Sequence, residues 1–304
     1  MTVPLTFFRR GPGPLVSVLI PTRGRVPHLL RAIDSLVSLA EDKKNLEFIF
    51  KVDDDDKETI DACKKLETLI VCKTIISPRG RGFHEMHEWV NQMCAYATGD
   101  WLFLFNDDAK VVVQNWDSKV FFCGTDKAWP GIDDICLIVA PTVDRPFAQE
   151  FILLRKATYE LLGHFSLSPH NDNWIYGVMN FCGCVIHSDI FIEHYSHVIG
   201  DETRQLSEAA YKTTGKSLNS LEAKRLRVAD IDKVLSGMET ATARRDLAWL
   251  NNPVGYGWYW WKLDSGEIKH IYCDSIGTVV TFEDGRAKDY FAPGTVKGLW
   301  SPRR

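Results

Sequence analysis

No apolar run in the sequence is long enough to cross a membrane. Stretches such as Ile135 to Ala140 fall far short of the roughly 20 residues that a spanning helix needs. Net charge is also small: 36 Lys and Arg stand against 40 Asp and Glu, leaving −4, so bulk electrostatics favours no polyanionic partner. Long polar tracts are missing and aromatics make up 12%, which excludes disorder as the main state. The eight cysteines show no zinc-knuckle spacing, and Cys182-Gly183-Cys184 stands alone. They read as buried thiols of a reducing cytoplasm, with a metal or redox pair at Cys182/Cys184 as the weaker alternative. No basic segment precedes the first short apolar run and no small-residue cleavage site follows it, so no secretory signal is expected. No Walker-type phosphate loop is present, and Gly11-Pro12-Gly13 comes before a strand, which rules out a dinucleotide fingerprint.

What remains is ordinary globular chemistry, 45% hydrophobic and 25% charged over 304 residues. Val16 to Ile20 is a β-rich run of the kind buried on both faces, and it stops at Pro21. Pro27 opens a helix with Leu29, Leu30, Ile33, Leu36 and Val37 at helical spacing. Glu47 to Val52 is a second strand, residues 57–70 read as helix, and Thr68 to Ile76 contains a third strand. This β-α-β-α-β order predicts a parallel sheet flanked by helices. A further helix carries Met86, Trp89, Val90, Met93 and Ala97 on one face, with Gly99 as its expected C-cap. Trp101 to Phe105 and Ile135 to Ala140 continue the sheet. Past residue 200 a capping-box-like start at Asn219 and Glu222 predicts a helix striped by Leu221, Val228, Ile231, Leu235 and Met238. Trp258 to Leu263, Ile268 to Cys273 and Thr278 to Phe282 then read as a small antiparallel meander.

Ligands bind at the carboxyl ends of strands in open α/β sheets. Three strands deliver polar clusters there: Pro21-Thr22-Arg23, Asp53 to Asp56, and Asn106-Asp107-Asp108. Grouped carboxylates repel unless a cation or donor offsets them. Hard oxygen ligands suit Mg2+ or Mn2+, which bridge protein carboxylates to substrate phosphates. The basic loop Arg79-Gly80-Arg81-Gly82 suits a phosphate contact and a plain basic turn equally.

The ordered segments VSVLIPTRGR (16–25), FKVDDDD (50–56), the glycine loop and helix through Asn91 to Gly99-Asp100, and WLFLFNDD (101–108) resemble the nucleotide-binding half of a family 2 glycosyltransferase of the GT-A fold. The resemblance covers roughly residues 15–200. It implies an α/β Rossmann-like domain over 15–205, after a tail at 1–14 and before a helical and β extension at 206–304. It further implies a hexosyl- or pentosyltransferase that uses a nucleotide-sugar, often a UDP-sugar, and a divalent cation, Mn2+ or Mg2+. Pro21, Thr22 and Arg23 would line the nucleotide pocket, Asp53 and Asp54 (with Asp55 possible) would hold base and ribose, and Arg79 and Asp107 would join them. Asn106 stands where the family has the first aspartate of its Asp-x-Asp motif, which lowers the site's charge. Asp108 then matches the main metal ligand, with His194 or His197 as a late-domain histidine ligand. Asp172, after the turn Leu162-Gly163-His164-Phe165, is the candidate general base of an inverting transfer, and its plainer reading is the cap of a helix from Asn173. Acceptors left open are a protein, a glycan precursor, a small molecule or modified DNA.

The C-terminal third is less specific. Trp258, Tyr259, Trp260 and Trp261 suit stacking on sugars or bases, or a small core. Lys224, Arg225, Arg227, Arg244, Arg245, Arg303 and Arg304 suit an anionic acceptor or a solvated face. Two rivals stay open: a sugar nucleotidyltransferase, and a non-catalytic carbohydrate- or nucleic-acid-binding protein with a degenerate site, which Asn106 favours.

Overall fold

A computed structural model describes residues 15–125, 135–146, 148–195 and 202–242, with strand segments between 257 and 302. The first part is the expected alternation: β1 (Val16–Thr22), α1 (Val26–Ser38), β2 (Leu46–Asp53), α2 (Lys57–Leu66), β3 (Cys72–Ser77), α3 (Met86–Tyr96) and β4 (Trp101–Leu104). Then come β5 (Ala109–Val111), α4 (Trp116–Thr125), β6 (Leu137–Ala140), β7 (Phe151–Arg155), α5 (Lys156–Leu162), α6 (Asn171–Phe181), β8 (Val185–His187) and β9 (Ile192–His194). A helical pair follows, α7 (Glu202–Leu218) and α8 (Leu221–Thr242). The described C-terminal segments β10 (Gly257–Lys262), β11 (Ile268–Cys273), β12 (Val279–Glu283), β13 (Arg286–Phe291) and β14 (Leu299–Pro302) pair antiparallel, which extends the expected meander.

The main sheet has the order β3-β2-β1-β4-β7-β6-β8, with β1 to β4 parallel and β7 antiparallel to both β4 and β6. Strand order reverses between β1 and β4, so β1, β2 and β4 meet at a topological switch point. Alternation within the apolar strands builds two cores. Val16, Val18, Ile20, Phe48, Phe50, Trp101 and Phe103 face α1 and α2. Leu19, Ile49, Leu102 and Leu104 face α3 and α6. A run apolar at every position is what a sheet covered on both sides requires.

Three local expectations are corrected. Gly99 is no C-cap, because α3 ends before it in extended backbone at Ala97. It is a close-approach glycine: its N–H donates to Ser17 Oγ (2.8 Å) and to Glu47 Oε1 (3.0 Å), and a Cβ there would lie 2.7 Å from Ser17 N. Ser220, not Asn219, caps α8, its Oγ accepting from Ala223 N at 3.1 Å. Leu221 and Val228 are exposed, and the buried face of α8 runs instead through Asp230 and Val234, flanked by Ile231 and Leu235. Asp230 accepts from Trp174 Nε1 (3.0 Å) and pairs with His164 Nε2 (3.0 Å), docking α8 on α6 through a polar contact that periodicity does not show.

Gly99→Ala is expected to cost about 1–3 kcal/mol, as overpacking does. A urea midpoint unchanged from wild type would show that the Ser17–Glu47–Gly99 contact is not tight.

Candidate active site

The turn after β1 reaches sideways to both neighbouring strand ends. Arg23 Nη1 donates to Asp53 Oδ2 (3.0 Å), and its guanidinium also grips the Asp55 carboxylate, with Nη2 to Oδ2 at 2.9 Å. Gly24, left-handed at φ 62°, donates its N–H to Asp56 Oδ2 at 2.6 Å. On the other side Thr22 Oγ1 donates to Asp107 Oδ2 (2.8 Å), and Arg25 Nη1 lies 3.3 Å from Asp107 Oδ1 and 3.5 Å from Asp108 Oδ2. Lys51, fully buried, donates to Asp53 Oδ1 at 2.7 Å and lies 4.5 Å from the centre of the Trp89 ring.

Apart from Gly24, Asp55 and Asp56, these groups line one cavity of about 800 Å3. It contains the expected Pro21, Thr22, Arg23, Asp53, Arg79, Asn106, Asp107, Asp108 and His194, and adds Arg25, Lys51 and Trp89. Leu206, Ala209, Ala210 and Thr213 of α7 form a wall. Opposite, the His170 ring stacks edge-on with Tyr211 of α7 and with Phe83, and His170 Nε2 bonds Thr214 Oγ1 at 2.9 Å. Asp54 is exposed and does not line the cavity. β2 ends at the buried Asp53, and Asp54 opens the exposed turn that follows. His197 lies outside the described residues. Arg79 makes no ion pair among the described residues.

His194 is held at the cavity's acidic corner. Its backbone pairs with Ala109 across β5 and β9, and Tyr195 N donates to Asp108 O at 2.9 Å. Its Nε2 lies 3.2 Å from Asp108 Oδ1 and 3.3 Å from Asn106 Nδ2, and its Nδ1 lies 2.9 Å from Glu150 Oε2. Burial would lower the imidazole pKa, but hydrogen bonds to Asp108 and Glu150 outweigh it and raise the pKa to about 9. Burial pushes in the other direction on Asp108, yet His194 and Arg25 hold that carboxyl below the usual range. Asp107 is pushed up to about 6, by burial first and the Asp108 charge second, against Arg25 and Thr22.

Among the described residues no three His, Cys, Asp or Glu side chains form a ready metal cage. The chemistry of the donor set still fits a hard divalent cation. A carboxylate and an imidazole nitrogen share one corner with the Asn106 amide, whose Nδ2 faces His194, and Mg2+ and Mn2+ commonly leave their remaining positions to water and substrate phosphate.

Asp172 is the second residue of α6, which starts at Asn171 and not at Asn173. Its carboxylate accepts from Asn173 Nδ2 at 3.3 Å and does not line the cavity itself. Burial, with the Glu150 charge adding to it, pushes its pKa up to about 6. The thiols carry no such chemistry: Cys182 and Cys184 are buried, and burial raises Cys182 far from a thiolate.

Comparison with known proteins now bears on this geometry. Residues 17–119 match the family model described as Glycosyl transferase family 2. Over these residues the chain is similar to that family, and its fold is similar to that of GT-A glycosyltransferases. A mannosyltransferase from Pyrobaculum calidifontis, PcManGT, superposes with a TM-score of 0.54 at 15% identity, over 77% of this chain and 76% of that one. S. aureus TarS, residues 1–349, gives a TM-score of 0.48 at 13% identity, over 84% and 96%. No curated protein matches the sequence. The GT-A resemblance and the mixed, largely parallel sheet expected from the sequence are therefore borne out. The matched segment contains β1, β2 and β4 and all three acidic or polar strand ends.

Because the folded pKa of Asp172 lies above its unfolded value, its contribution to stability is full below about pH 4 and is lost as pH rises towards 6. Asp172→Asn is expected to leave stability unchanged at pH 4 and to raise it by on the order of 2 kcal/mol above pH 6.5. Denaturant melts of both proteins across that range check this; a variant less stable than wild type at pH 7 would contradict it.

Proposed function

We propose that the chain is an inverting, metal-dependent glycosyltransferase that moves a sugar from a nucleotide-sugar, a UDP-sugar by preference, to an acceptor hydroxyl. The carrying observation is the convergence of the β1, β2 and β4 ends on one cavity, on the GT-A fold. A mannosyltransferase of the same fold has been crystallised with GDP-Man and Mn2+, which supports a nucleotide-sugar and a divalent cation for this chain too.

In this reading Asp53, with Lys51 and Trp89 behind it, forms the floor of the nucleoside pocket. Arg79 offers its guanidinium to the donor diphosphate. Asp108 and His194, with the Asn106 carbonyl, would hold the cation, which supplies a Lewis acid for charge developing on the leaving diphosphate. His194 must shed its Nε2 proton to ligate. Asp172 takes the acceptor hydroxyl's proton as the new bond forms at the anomeric carbon and the bond to diphosphate breaks. A carboxyl titrating near 6 is ionised at neutral pH, yet more basic than an exposed aspartate. The free thiols fit a cytoplasmic enzyme. Hexose or pentose, and the acceptor among protein, glycan precursor, small molecule or modified DNA, follow from loops whose specificity the reading leaves open. The nucleotidyltransferase rival is disfavoured because Arg23 and Arg25 are spent on the chain's own aspartates.

Thermal shifts with a panel of nucleoside diphosphates and nucleotide-sugars, with and without Mn2+, test the donor site, since a ligand of the folded state raises Tm. A Mn2+-dependent rise with one nucleotide is expected, and its loss in Asp108→Ala. No rise with any nucleotide would favour the binding-protein alternative. Asp172→Asn is expected to keep the donor shift while transfer falls by about 100-fold or more. Undiminished transfer would remove Asp172 from the base role, as would a wild-type rate that stays level as pH falls through 6.

A further inference from the structure

We infer that Glu150 is the positioning residue that makes His194 a metal ligand. The inference rests on the metal reading of the Asp108–His194 corner. Glu150 immediately precedes β7 and does not line the cavity. Both of its oxygens are held from behind: Arg145 Nη1 donates to Oε1 at 2.8 Å and Nη2 to Oε2 at 2.9 Å, a bidentate clamp. Arg145 is itself fixed through its backbone, its carbonyl accepting from Thr142 Oγ1 at 3.0 Å. From that clamp Glu150 Oε2 accepts the Nδ1 proton of His194.

The consequence for His194 is geometric. Pairing of β5 with β9 places its Cα beside the Asp108 loop. The Phe151 ring packs edge-on against the imidazole at 5.1 Å between centroids. Glu150 then fixes which nitrogen faces back and which faces the cavity. With Nδ1–H committed to a carboxylate, Nε2 points at Asp108 and Asn106, and its lone pair is the one left for a cation once its proton departs. An imidazole free to rotate or change tautomer would lose that orientation, and carboxylate partners of ligating histidines make the ligand more basic as well. Glu150 is poorly placed for other roles. Its two oxygens are occupied, and the His194 ring stands between it and Asp108.

The test is a Mn2+ titration of the metal-free protein, read from the loss of the free-ion EPR signal, with no sugar donor and no turnover. Wild type is expected to bind Mn2+, and Asp108→Ala and His194→Ala to lose binding. Glu150→Ala is expected to weaken binding about 10- to 100-fold, and Arg145→Ala by a smaller factor. Glu150→Gln keeps shape and an acceptor oxygen without charge, and is expected to fall between wild type and Glu150→Ala. It also serves as the reporter if Glu150→Ala does not fold. Wild-type affinity in both Glu150 variants, with binding still lost in Asp108→Ala, would overturn the role of Glu150 alone. A wild-type protein that takes up no Mn2+ would overturn the metal reading, and this inference with it.

Discussion

The structure depends on holding many carboxylates at one sheet edge without an electrostatic penalty that would open it. Asp53, Asp55 and Asp56 follow β2; Asp107 and Asp108 follow β4. Three of the five are nearly or fully removed from water. The offsetting groups come largely from the end of β1 and the three-residue turn after it: Arg23 on the β2 side, Thr22 and Arg25 on the β4 side, and the Gly24 N–H on Asp56. Each of these contacts joins residues far apart in sequence, so the turn acts as a cross-brace over the switch point of the sheet. Removing Arg25 would leave the buried Asp107 with the Thr22 hydroxyl in place of a cation, and such a loss costs more than the bond it ends.

The opposite end of the same strands carries a contrasting solution. Glu47 is buried at the start of β2, and its carboxylate accepts from Thr98 Oγ1 (2.8 Å), Gly99 N (3.0 Å), Thr98 N and Ser17 Oγ. Those donors are backbone amides and hydroxyls. At the site end most partners are side-chain cations, Arg23, Arg25, Lys51 and His194. A carboxylate satisfied by backbone is fixed structure, whereas one satisfied by arginine or imidazolium can exchange its partner for a ligand. The two ends of the sheet therefore carry similar charge for different purposes, and the difference lies in who donates.

How much of this the sequence made legible follows from locality. The β-α-β order, the strand ends and the acidic clusters were readable because strand and helix periodicity and turn residues act over a few positions. The run Asp53 to Asp56 was only half readable. The strand ends at the buried Asp53 and Asp54 falls in the exposed turn, while Asp56 caps α2 by accepting from Thr59 N at 3.2 Å, a signal that Asp56 and Thr59 at cap spacing already contain. Arg25, Lys51 and Glu150 were not legible as site residues. Nothing near Arg25 in the chain announces that its guanidinium meets Asp107, and nothing near Glu150 announces His194. The same holds for the wall supplied by α7 and for Asp230, whose buried place on α8 is set by Trp174 and His164.

Asn106 is better understood through charge balance than as decay of an acidic motif. At this corner Asp107, Asp108 and Glu150 are offset by Arg25, Arg145 and the His194 imidazolium, and Arg145 also meets Asp144 at 3.5 Å. An aspartate at 106 would add a further negative charge beside Asp107, a carboxyl that burial and the neighbouring Asp108 already push up. Asparagine keeps a carbonyl donor for a hard cation and spares the fold that repulsion. A divalent cation arriving as His194 gives up one proton would then add one net positive charge to the corner. That surplus is what a donor diphosphate requires, so the substitution fits a working site in which Arg25 and Glu150 have taken over part of the electrostatic role.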